Sequence, residues 1–410
     1  MQKIPQELCS KCKGRSWCGK VCPILQKMKD LLPKKEMHFS GASPPEIFVG
    51  RYGYPNIYTG ILSPNEKEET SRFSSSEQWV KENLTIDDIL GLRGKLIYGQ
   101  FKSNIKDARL GKKFTLAMQE ISMSHKPVSA EFFLKKPINF RIQLDKHVSV
   151  IGNPAPLKHV RLEENPKIEK KVEYISSDDE LKAVKGIQEL YKSKISVEHI
   201  IKLLSAGMLG IKSKRILVPT RWSITATDDT ISKQLMKKIK TYPEIQDIQV
   251  FNSDYVGNHY EFILLPDNFS FEVIEAKISG SVWNPMGKTT YFAQDYESFF
   301  PRKKYAGNVT GAYYSNRLAL CEYLEKIKHQ ASCLVLREAR PEYWAPLGVG
   351  ILREASRKAF TNKSQTFDTL KEAFENIKKR LIISIEHFKE KSELLKNYGK
   401  QKRLTSYFKN

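Results

Sequence analysis

Four of the six cysteines lie close together near the start of the chain, and this clustering constrains the local fold more than any other feature. Cys9, Cys12, Cys18 and Cys22 follow the pattern C-x2-C-x5-C-x3-C, so that two pairs of thiolates can face one ion. Four thiolates are the ligand set of a closed structural zinc site. Cysteines that tie an oxidised framework together are spread along a chain. We therefore predict a small metal-binding module over residues 1–35.

The spacing leaves a second metal open. The five-residue middle spacer is shorter than in most zinc ribbons, and Cys22 is followed by Pro23, which resembles the end of an iron-sulfur run. Zinc is the predicted cofactor, an iron-sulfur cluster is the alternative, and unrelated free thiols are the third interpretation.

The charge of the chain favours a polyanionic partner. The 410 residues carry 68 lysines and arginines against 46 aspartates and glutamates, a net charge of +22. Each basic side chain on a phosphate releases condensed counterions, so nucleic acid is the first candidate, and a lysine-rich solubilising surface is the alternative. No apolar run of membrane-spanning length occurs, and the chain begins Met1-Gln2-Lys3-Ile4 without an apolar signal segment. We expect a cytoplasmic, nucleoid-associated protein with no membrane partner.

Strand-like and helix-like segments alternate without a regular βαβ rhythm, which favours an α+β (mixed, irregular α/β) core. Alternating and β-branched patterns predict the strands, and the pattern also predicts a helix over 313–328. The predicted strand segments are 47–64, 128–150, 216–228, 260–265, 271–276 and 331–336.

Apolar residues recur at three- and four-residue steps from Phe367 to Phe388, and Gly399 ends the pattern. This predicts one long amphipathic C-terminal helix that packs on the core of its own chain, with a partner-binding coiled coil as the alternative. The predicted division is 1–35 for the metal module, 36–285 and 286–398 for an N-terminal and a C-terminal domain, and 399–410 for a flexible tail.

The tail carries a motif. Gln401, Leu404, Tyr407 and Phe408 give Q-x-x-L-x-x-Y-F, and a single helical turn would project the three apolar side chains together. The pattern resembles the peptide that docks on sliding clamps, PCNA in archaea and eukaryotes. The alternative is a tail that folds back to complete the core.

Arginines beside glycines and hydroxyls are candidates for a phosphate or nucleotide pocket, because guanidinium groups bind phosphate bidentately. On a strand over 216–228, period-2 alternation would place Arg221, Ser223 and Thr225 on one face. Asp228 and Glu338 are the nearby catalytic candidates, and salt-bridged scaffolding is the alternative for the Arg-Glu pairs. The candidate phosphate-binding residues are Arg51, Arg221, Ser223, Thr225, Arg337 and Arg353.

Recognised hydrolase, kinase and oxidoreductase signatures are absent from the sequence. An enzyme built on these residues would be a nucleotide or DNA phosphoester or glycosidic hydrolase. Whether any bond is broken stays open at this level.

Several segments together identify a family. They are the tetracysteine start, Phe48-Val-Gly-Arg51, the block Leu217-Val-Pro-Thr-Arg-Trp-Ser-Ile-Thr-Ala226, Pro346-Leu-Gly-Val349 with Arg353-Glu354, and the tail. In these segments the chain resembles the Nre family of archaeal DNA repair proteins. The resemblance spans essentially the whole chain. It implies a role in repair of DNA damage, recruitment by PCNA through residues 401–408, and a metal-binding N-terminus, and it implies no settled reaction. An RNA-binding zinc protein is the alternative.

Overall fold

The structure is a computed structural model in which the chain divides into two compact units. The first unit comprises residues 1–234 with 345–354, and the second comprises 235–344 with 355–410. Each unit contains one six-stranded sheet. The residues that the structure describes are 12, 15, 17, 19, 21–29, 36–67, 69–138 and 144–399.

The sheet of the first unit has the order β1-β5-β6-β4-β3-β2, in which only the β4–β6 pair is parallel. Its strands are β1 (His38–Ser43), β2 (Glu46–Val49), β3 (Asn56–Ser63), β4 (Ile97–Asn104), β5 (Val128–Leu134) and β6 (Asn153–Leu162). The described helices that lie wholly in this unit are α1 (Pro23–Lys29), α2 (Ser76–Lys81), α3 (Ile86–Gly94), α4 (Lys113–Met123), α5 (Lys170–Ser177), α6 (Ala183–Lys192) and α7 (Val197–Ser205).

The core of the first unit follows from alternation along the strands. In β5, Val128, Ala130, Phe132 and Leu134 are buried, and the residues between them are partly exposed. Successive strand residues point to opposite faces, so one face of the sheet is apolar. Helix α4 contacts β2, β3 and β6, and the Met118 side chain of α4 is fully buried in this cluster. The predicted strands at 47–64 and at the start of 128–150 are confirmed.

The sheet of the second unit has the order β10-β9-β11-β8-β7-β12, and its β9–β11 pair is parallel. Its strands are β7 (Ile248–Tyr255), β8 (Asn258–Leu265), β9 (Ser270–Lys277), β10 (Tyr291–Glu297), β11 (Ser332–Ala339) and β12 (Gln365–Phe367). Among the described residues, the α-helices wholly in this unit are α9 (Gly311–Ile327), α11 (Leu370–Lys378), α12 (Ile385–Lys391) and α13 (Glu393–Asn397). Helices α8 (Thr220–Ile239) and α10 (Val349–Thr361) include residues of both units.

Strands β8 and β11 are buried along their whole length. One face of the sheet packs on the C-terminal helices, and on the other face Phe262 meets Phe360 with 4.8 Å between ring centroids. A strand that is covered on both faces carries a nearly continuous apolar run rather than an alternating pattern, as in residues 262–265 of β8 and 333–336 of β11. The α+β class is thus confirmed, as are the strands predicted around 260–265, 271–276 and 331–336.

The division into compact units differs from the predicted boundary at residue 285. Strands β7, β8 and β9 precede that residue and β11 follows it, yet all four belong to the second sheet. Hydrogen-bonded pairing therefore groups segments that a linear boundary separates.

The strand predicted over 216–228 is wrong: residues from Thr220 onward form helix α8. The carbonyl of Pro219 accepts hydrogen bonds from the backbone N–H groups of Trp222 and Ser223 at 2.8 and 3.0 Å, which closes the first helical turn. The buried apolar side chains of Ile224, Ile231 and Leu235 then recur at helical spacing. β-branched residues favour strands only weakly, and tertiary packing overrides that preference.

The prediction of one long C-terminal helix is also wrong, because the segment forms the three short helices α11, α12 and α13. The backbone N–H groups of Ile382 and Ile383 donate to the Glu338 carboxylate at 2.8 and 2.7 Å, so they are not available to carbonyls one turn earlier. The apolar stripe still packs on the core of its own chain, since Phe374 and Phe388 belong to the apolar cluster of the second unit.

No described helix is both long enough and apolar enough to cross a membrane.

Candidate functional site

A cavity of about 400 Å³ opens in the first unit. Its walls come from the end of β2, from β3 and β4, from the segment before β6 and from the start of α8. All the lining residues belong to the first unit. The polar and charged side chains of the wall are Arg51, Tyr52, Tyr58, Tyr98, Gln100, Asp145 and Arg221.

Backbone hydrogen bonds place the two arginines at this cavity. The Gly50 N–H donates to the Tyr58 carbonyl at 2.9 Å, and a Cβ on Gly50 would stand 2.8 Å from that oxygen. The close approach therefore requires glycine immediately before Arg51. The Val49 N–H donates to the Thr220 hydroxyl at 2.9 Å, which joins β2 to the start of α8 and brings Arg221 to the same wall.

Tyr52 and Tyr58 line the cavity, and the exposed Tyr54 and Trp222 follow the lining residues Arg51 and Arg221 closely in the sequence. We call Arg51, Tyr52, Tyr54, Tyr58 and Trp222 the rim. The four aromatic side chains of the rim are 46–73% exposed. The Arg51 guanidinium lies 4.9 Å from the Tyr52 ring centroid, and the Tyr54 and Trp222 rings are 5.5 Å apart. Large exposed aromatics grouped with a guanidinium are typical of a binding surface.

A carboxylate and a guanidinium lie side by side in the cavity wall. Asp145 accepts the His147 N–H at 2.8 Å, and its Oδ2 is 3.6 Å from the Arg221 Nη1. Burial alone would raise the pKa of Asp145, but the hydrogen bonds from His147 and the charge of Arg221 outweigh it and lower that pKa to about 2. Burial, assisted by the charge of Arg221, lowers the pKa of His147. The wall therefore presents an ionised carboxylate and a cation at neutral pH.

Tyr98 lies deeper in the same wall. Its side chain is 1% exposed, and burial raises its pKa well above the usual value for a phenol. The hydroxyl has no hydrogen-bond partner among the residues that the structure describes. Buried hydroxyls in proteins are almost always paired.

The structure brings together only part of the predicted phosphate set. Arg51 and Arg221 share the cavity, whereas Ser223 and Thr225 are buried within α8. The single face predicted for Arg221, Ser223 and Thr225 is wrong, because a helix turns by about 100° per residue and separates neighbours that a strand would align. The Ser223 hydroxyl donates to the Val218 carbonyl at 3.4 Å.

Arg353 and Asp228 form a buried pair in the first unit. The Arg353 Nε and Nη2 donate to the two carboxylate oxygens of Asp228 at 2.9 and 2.8 Å, and both side chains are at most 1% exposed. Neither residue is part of the wall of the 400 Å³ cavity. The geometry is that of a structural ion pair.

Arg337 and Glu338 belong to the second unit. Arg337 donates to Glu275 and Asn258, and Glu338 accepts from Arg340 at 2.8 and 2.9 Å as well as from the backbone of the C-terminal segment. These contacts explain why both side chains are buried. The catalytic candidates Asp228 and Glu338 thus lie in different units, each in an ion pair.

Tyr98, Asp145 and the tyrosines of the rim are not among the residues that the sequence predicted for the site. Tyr98 follows the ordinary apolar pattern of β4, and Asp145 stands outside any motif. The one available signal was the series Tyr52, Tyr54 and Tyr58 beside Arg51 in a glycine-rich turn.

Of the predicted metal ligands, Cys12 and Cys22 are described, and Cys9 and Cys18 lie outside the described residues. The Trp17 N–H donates to the Cys12 Sγ at 3.3 Å, an arrangement that suits a thiolate ligand, since such sulfurs accept backbone N–H groups. Within the described residues no three His, Cys, Asp or Glu side chains are grouped as metal ligands. The predicted clamp-binding residues Gln401, Leu404, Tyr407 and Phe408 also lie outside the described part of the chain.

The fold and the cavity define a basic α+β protein of two units with an aromatic-rimmed arginine and carboxylate site. Sequence profiles of one family cover most of this chain. The profile described as "Archaeal Nre, N-terminal" matches residues 17–284, and "Archaeal Nre, C-terminal" matches residues 297–407. The chain belongs to the archaeal Nre family, as the resemblance predicted.

Curated relatives agree with this assignment. The chain is 37% identical to DNA repair protein NreB of Archaeoglobus fulgidus, over 97% of this chain and 99% of the relative. It is 36% identical to DNA repair protein NreA of the same organism, over 91% and 93% of the two chains. It is 35% identical to DNA repair protein NreA of Haloferax volcanii, over 86% of each chain. No solved structure matches the chain.

Proposed function

We propose that this protein is a DNA repair factor that binds DNA through the rim and is held at the PCNA sliding clamp by its C-terminal motif. The names of its relatives support the repair role. The net charge of +22 supports a polyanionic partner, because phosphate contacts supply most of the affinity of a basic protein for nucleic acid.

The rim is the observation that carries DNA binding. The four aromatic side chains of the rim are exposed, with Tyr52 against the Arg51 guanidinium and Tyr54 against Trp222. Exposed rings of this kind are stacking platforms for unpaired bases. Stacking on an aromatic side chain contributes about 1–3 kcal/mol per base and tolerates any sequence. The rim therefore favours a single strand, a frayed end or a distorted duplex over an intact duplex.

Fluorescence anisotropy with a labelled single-stranded oligonucleotide, at one stated salt concentration, tests this proposal. The double variant Tyr58→Ala/Trp222→Ala should bind at least tenfold more weakly, which corresponds to about 1.4 kcal/mol. Tyr174→Ala is the matched control, because Tyr174 is also exposed and lies 5.4 Å from Lys171 but stands away from the cavity. Equal affinity of the double variant and the wild type would contradict the rim assignment. An RNA oligonucleotide of the same sequence should bind no more tightly than DNA, and a clear preference for RNA would favour the RNA-binding alternative.

The clamp contact is proposed from the motif Q-x-x-L-x-x-Y-F at residues 401–408. A tail on the clamp raises the local concentration of the basic protein at DNA, so that two modest affinities act as one stronger affinity.

Calorimetric titration of PCNA with the whole protein tests the clamp contact. Saturable binding should disappear in Tyr407→Ala/Phe408→Ala and persist in Lys409→Ala, which changes a neighbouring side chain outside the motif. Equal heats from the double variant and the wild type would contradict the tether.

We also propose that Cys9, Cys12, Cys18 and Cys22 bind zinc. The N–H···S contact at Cys12 suits a thiolate ligand. Elemental analysis of the purified protein should give one zinc per chain, reduced in Cys12→Ser. A preparation that absorbs in the visible and contains iron would replace zinc by the iron-sulfur alternative.

The two predicted catalytic carboxylates are engaged in ion pairs. The two catalytic candidates, Asp228 and Glu338, accept hydrogen bonds from Arg353 and Arg340, respectively, and both side chains are fully buried. A carboxylate that is engaged in this way serves as a structural anion.

A further inference from the structure

The wall of the 400 Å³ cavity holds two unpaired hydrogen-bonding atoms. The buried Tyr98 hydroxyl and the Arg51 Nε make no hydrogen bond within the described chain, and both residues line the cavity. An unpaired buried donor is costly, and a polar ligand in the cavity would remove that cost by accepting a hydrogen bond.

The wall also offers an acceptor beside a donor. The Asp145 carboxylate and the Arg221 guanidinium are 3.6 Å apart, a long separation that leaves lone pairs and N–H groups available on both. The hydrogen-bonding edge of every nucleobase carries a donor next to an acceptor. Asp145 can accept from the donor of such an edge while Arg221 donates to its acceptor.

Aromatic side chains form much of the remaining wall. Phe48 and Tyr98 meet edge to face with their ring centroids 5.6 Å apart, and Tyr52 and Tyr58 stand at the mouth. A cavity of about 400 Å³ lies within the range of small-molecule sites, about 300–1,000 Å³. Enzymes and lesion-recognition proteins that read a base outside the stack hold it between apolar or aromatic side chains and bind its edge with polar groups.

We infer that this cavity receives one unpaired nucleobase from the DNA strand that crosses the rim, with its hydrogen-bonding edge on Asp145 and Arg221 and a further hydrogen bond from Tyr98. The inference rests on the proposed DNA binding and adds the ligand of the cavity. Such a site selects a base that is already unpaired, because extrusion from an intact duplex costs pairing and stacking energy.

Three duplexes that differ at one central position test this inference by fluorescence anisotropy. The first carries a guanine opposite an abasic site, the second carries abasic sites on both strands, and the third is fully paired. The wild type should bind the first duplex about tenfold more tightly than the second, as expected for one well-placed set of base contacts. The fully paired duplex should bind no more tightly than the second.

Two variants of cavity residues test whether the preference for the duplex with an unpaired guanine arises in this cavity. Asp145→Asn should bring the ratio of affinities for the first and second duplexes close to one. Tyr98→Phe should reduce the same ratio about threefold without lowering the melting temperature, because it removes a hydroxyl that has no partner in the described chain. Asp87→Asn is the control, since Asp87 is exposed on α3 and contacts Lys27 at 3.4 Å; its ratio should equal that of the wild type.

The outcomes separate the two proposals. Equal binding of the first and second duplexes by the wild type would overturn the base site and leave DNA binding intact. A tenfold preference that persists in Asp145→Asn and in Tyr98→Phe would also overturn it, because the base would then be bound elsewhere. Failure to bind any of the three duplexes would overturn the proposed function and the base site together.

Discussion

One charged pair at the cavity of the first unit and one carboxylate in the second unit differ in how tightly they are paired. In the first unit, the Arg221 and Asp145 side chains are 19% and 16% exposed, lie 3.6 Å apart and border an open cavity. In the second unit, Glu338 is fully buried and accepts four hydrogen bonds, two from Arg340 and two from backbone N–H groups. A tightly paired buried charge is part of the scaffold, whereas a loosely paired one beside unpaired polar atoms can still bind a ligand.

The scaffold role is clearest in the C-terminal segment. Glu338 binds the turn before α12, and Glu272 accepts the N–H groups of Glu393 and Leu394 at the start of α13, at 2.8 and 3.0 Å. Glu272 satisfies backbone donors that a helix start leaves unpaired, and Glu338 satisfies two donors of the turn. These contacts fix the chain on the second sheet shortly before the proposed clamp motif begins.

The largest expected effect is on the stability of the second unit. Glu338→Ala should lower the free energy of unfolding by about 3–5 kcal/mol, because Arg340 and two backbone N–H groups lose their acceptor. Urea unfolding followed by circular dichroism measures the change. Glu386→Ala is the control, an exposed glutamate on α12 paired with Lys389, and should stay within about 0.5 kcal/mol of the wild type. A loss below about 1 kcal/mol for Glu338→Ala would contradict the scaffold role.

The next largest expected effect is on the pH dependence of stability, which should have opposite signs for two buried histidines. Burial lowers the pKa of His199 in the first unit from the usual 6.5 to about 4. As the pH falls from 6.5 towards 4, the unfolded chain is protonated before the folded chain, so the stability of the folded state decreases. The loss should be about 2 kcal/mol between pH 7 and pH 5. In the second unit, burial is outweighed by Asp254 and Glu261, which raise the pKa of His259. Its contribution is therefore complete below pH 6.5 and is lost as pH rises through the raised pKa.

Unfolding of His199→Gln and His259→Gln at pH 5 and pH 8 checks both signs. His199→Gln should be less sensitive to acid than the wild type. His259→Gln should lose more stability at pH 5 than at pH 8. The same pH response from both variants would remove the distinction between the two units.

A smaller change in stability is expected at the cavity. Arg221→Gln should lower the free energy of unfolding by no more than about 1 kcal/mol, since a loose pair that reaches solvent contributes little. The pKa of Asp145 should rise towards its usual value, because the charge of Arg221 is one of the causes that lower it. Urea unfolding measures the first quantity, and carboxyl titration by nuclear magnetic resonance measures the second. A destabilisation as large as that of Glu338→Ala would place Arg221 in the scaffold.

The smallest expected effect is an increase in the free energy of unfolding. Burial lowers the pKa of Lys202 in the first unit, and this effect outweighs the charges of Glu46 and Glu198, which raise it. The charged form of Lys202 is therefore disfavoured in the folded state. The stability of the wild type should consequently increase slightly at alkaline pH. Lys202→Met should raise the free energy of unfolding at pH 7 by up to about 1 kcal/mol. Lys192→Met is the exposed control and should change it little. A loss of stability in Lys202→Met would show that the lysine stabilises the unit through a contact.

Local patterns predicted the elements whose burial is regular. The alternation in β5 and the apolar runs of β8 and β11 identified strands, because each pattern reflects one covered face or two. Patterns failed where a distant group competes for the backbone. The predicted C-terminal helix is interrupted by Glu338, which precedes Ile382 by 44 residues, and no window of sequence contains both.

Only part of the candidate site was predictable from the sequence, because its other residues meet through long-range contacts. Arg51 and Arg221 were recognisable as guanidinium groups beside glycines and hydroxyls, and they do share a wall. Asp145 and Tyr98 were not recognisable, because their role depends on the pairing of β3 with β4 and on the segment before β6.

The sequence by itself determined the composition-level properties and the family: the net charge, the cysteine spacing, the tail motif and the match to the archaeal Nre profiles. These are encoded in residue types and short spacings. Only the tertiary structure decided that residues from Thr220 onward form a helix and that Arg51, Tyr98, Asp145 and Arg221 surround one cavity. The Val49–Thr220 hydrogen bond, which joins residues 171 positions apart, shows the physical reason: side chains meet through long-range pairing that a local pattern does not contain.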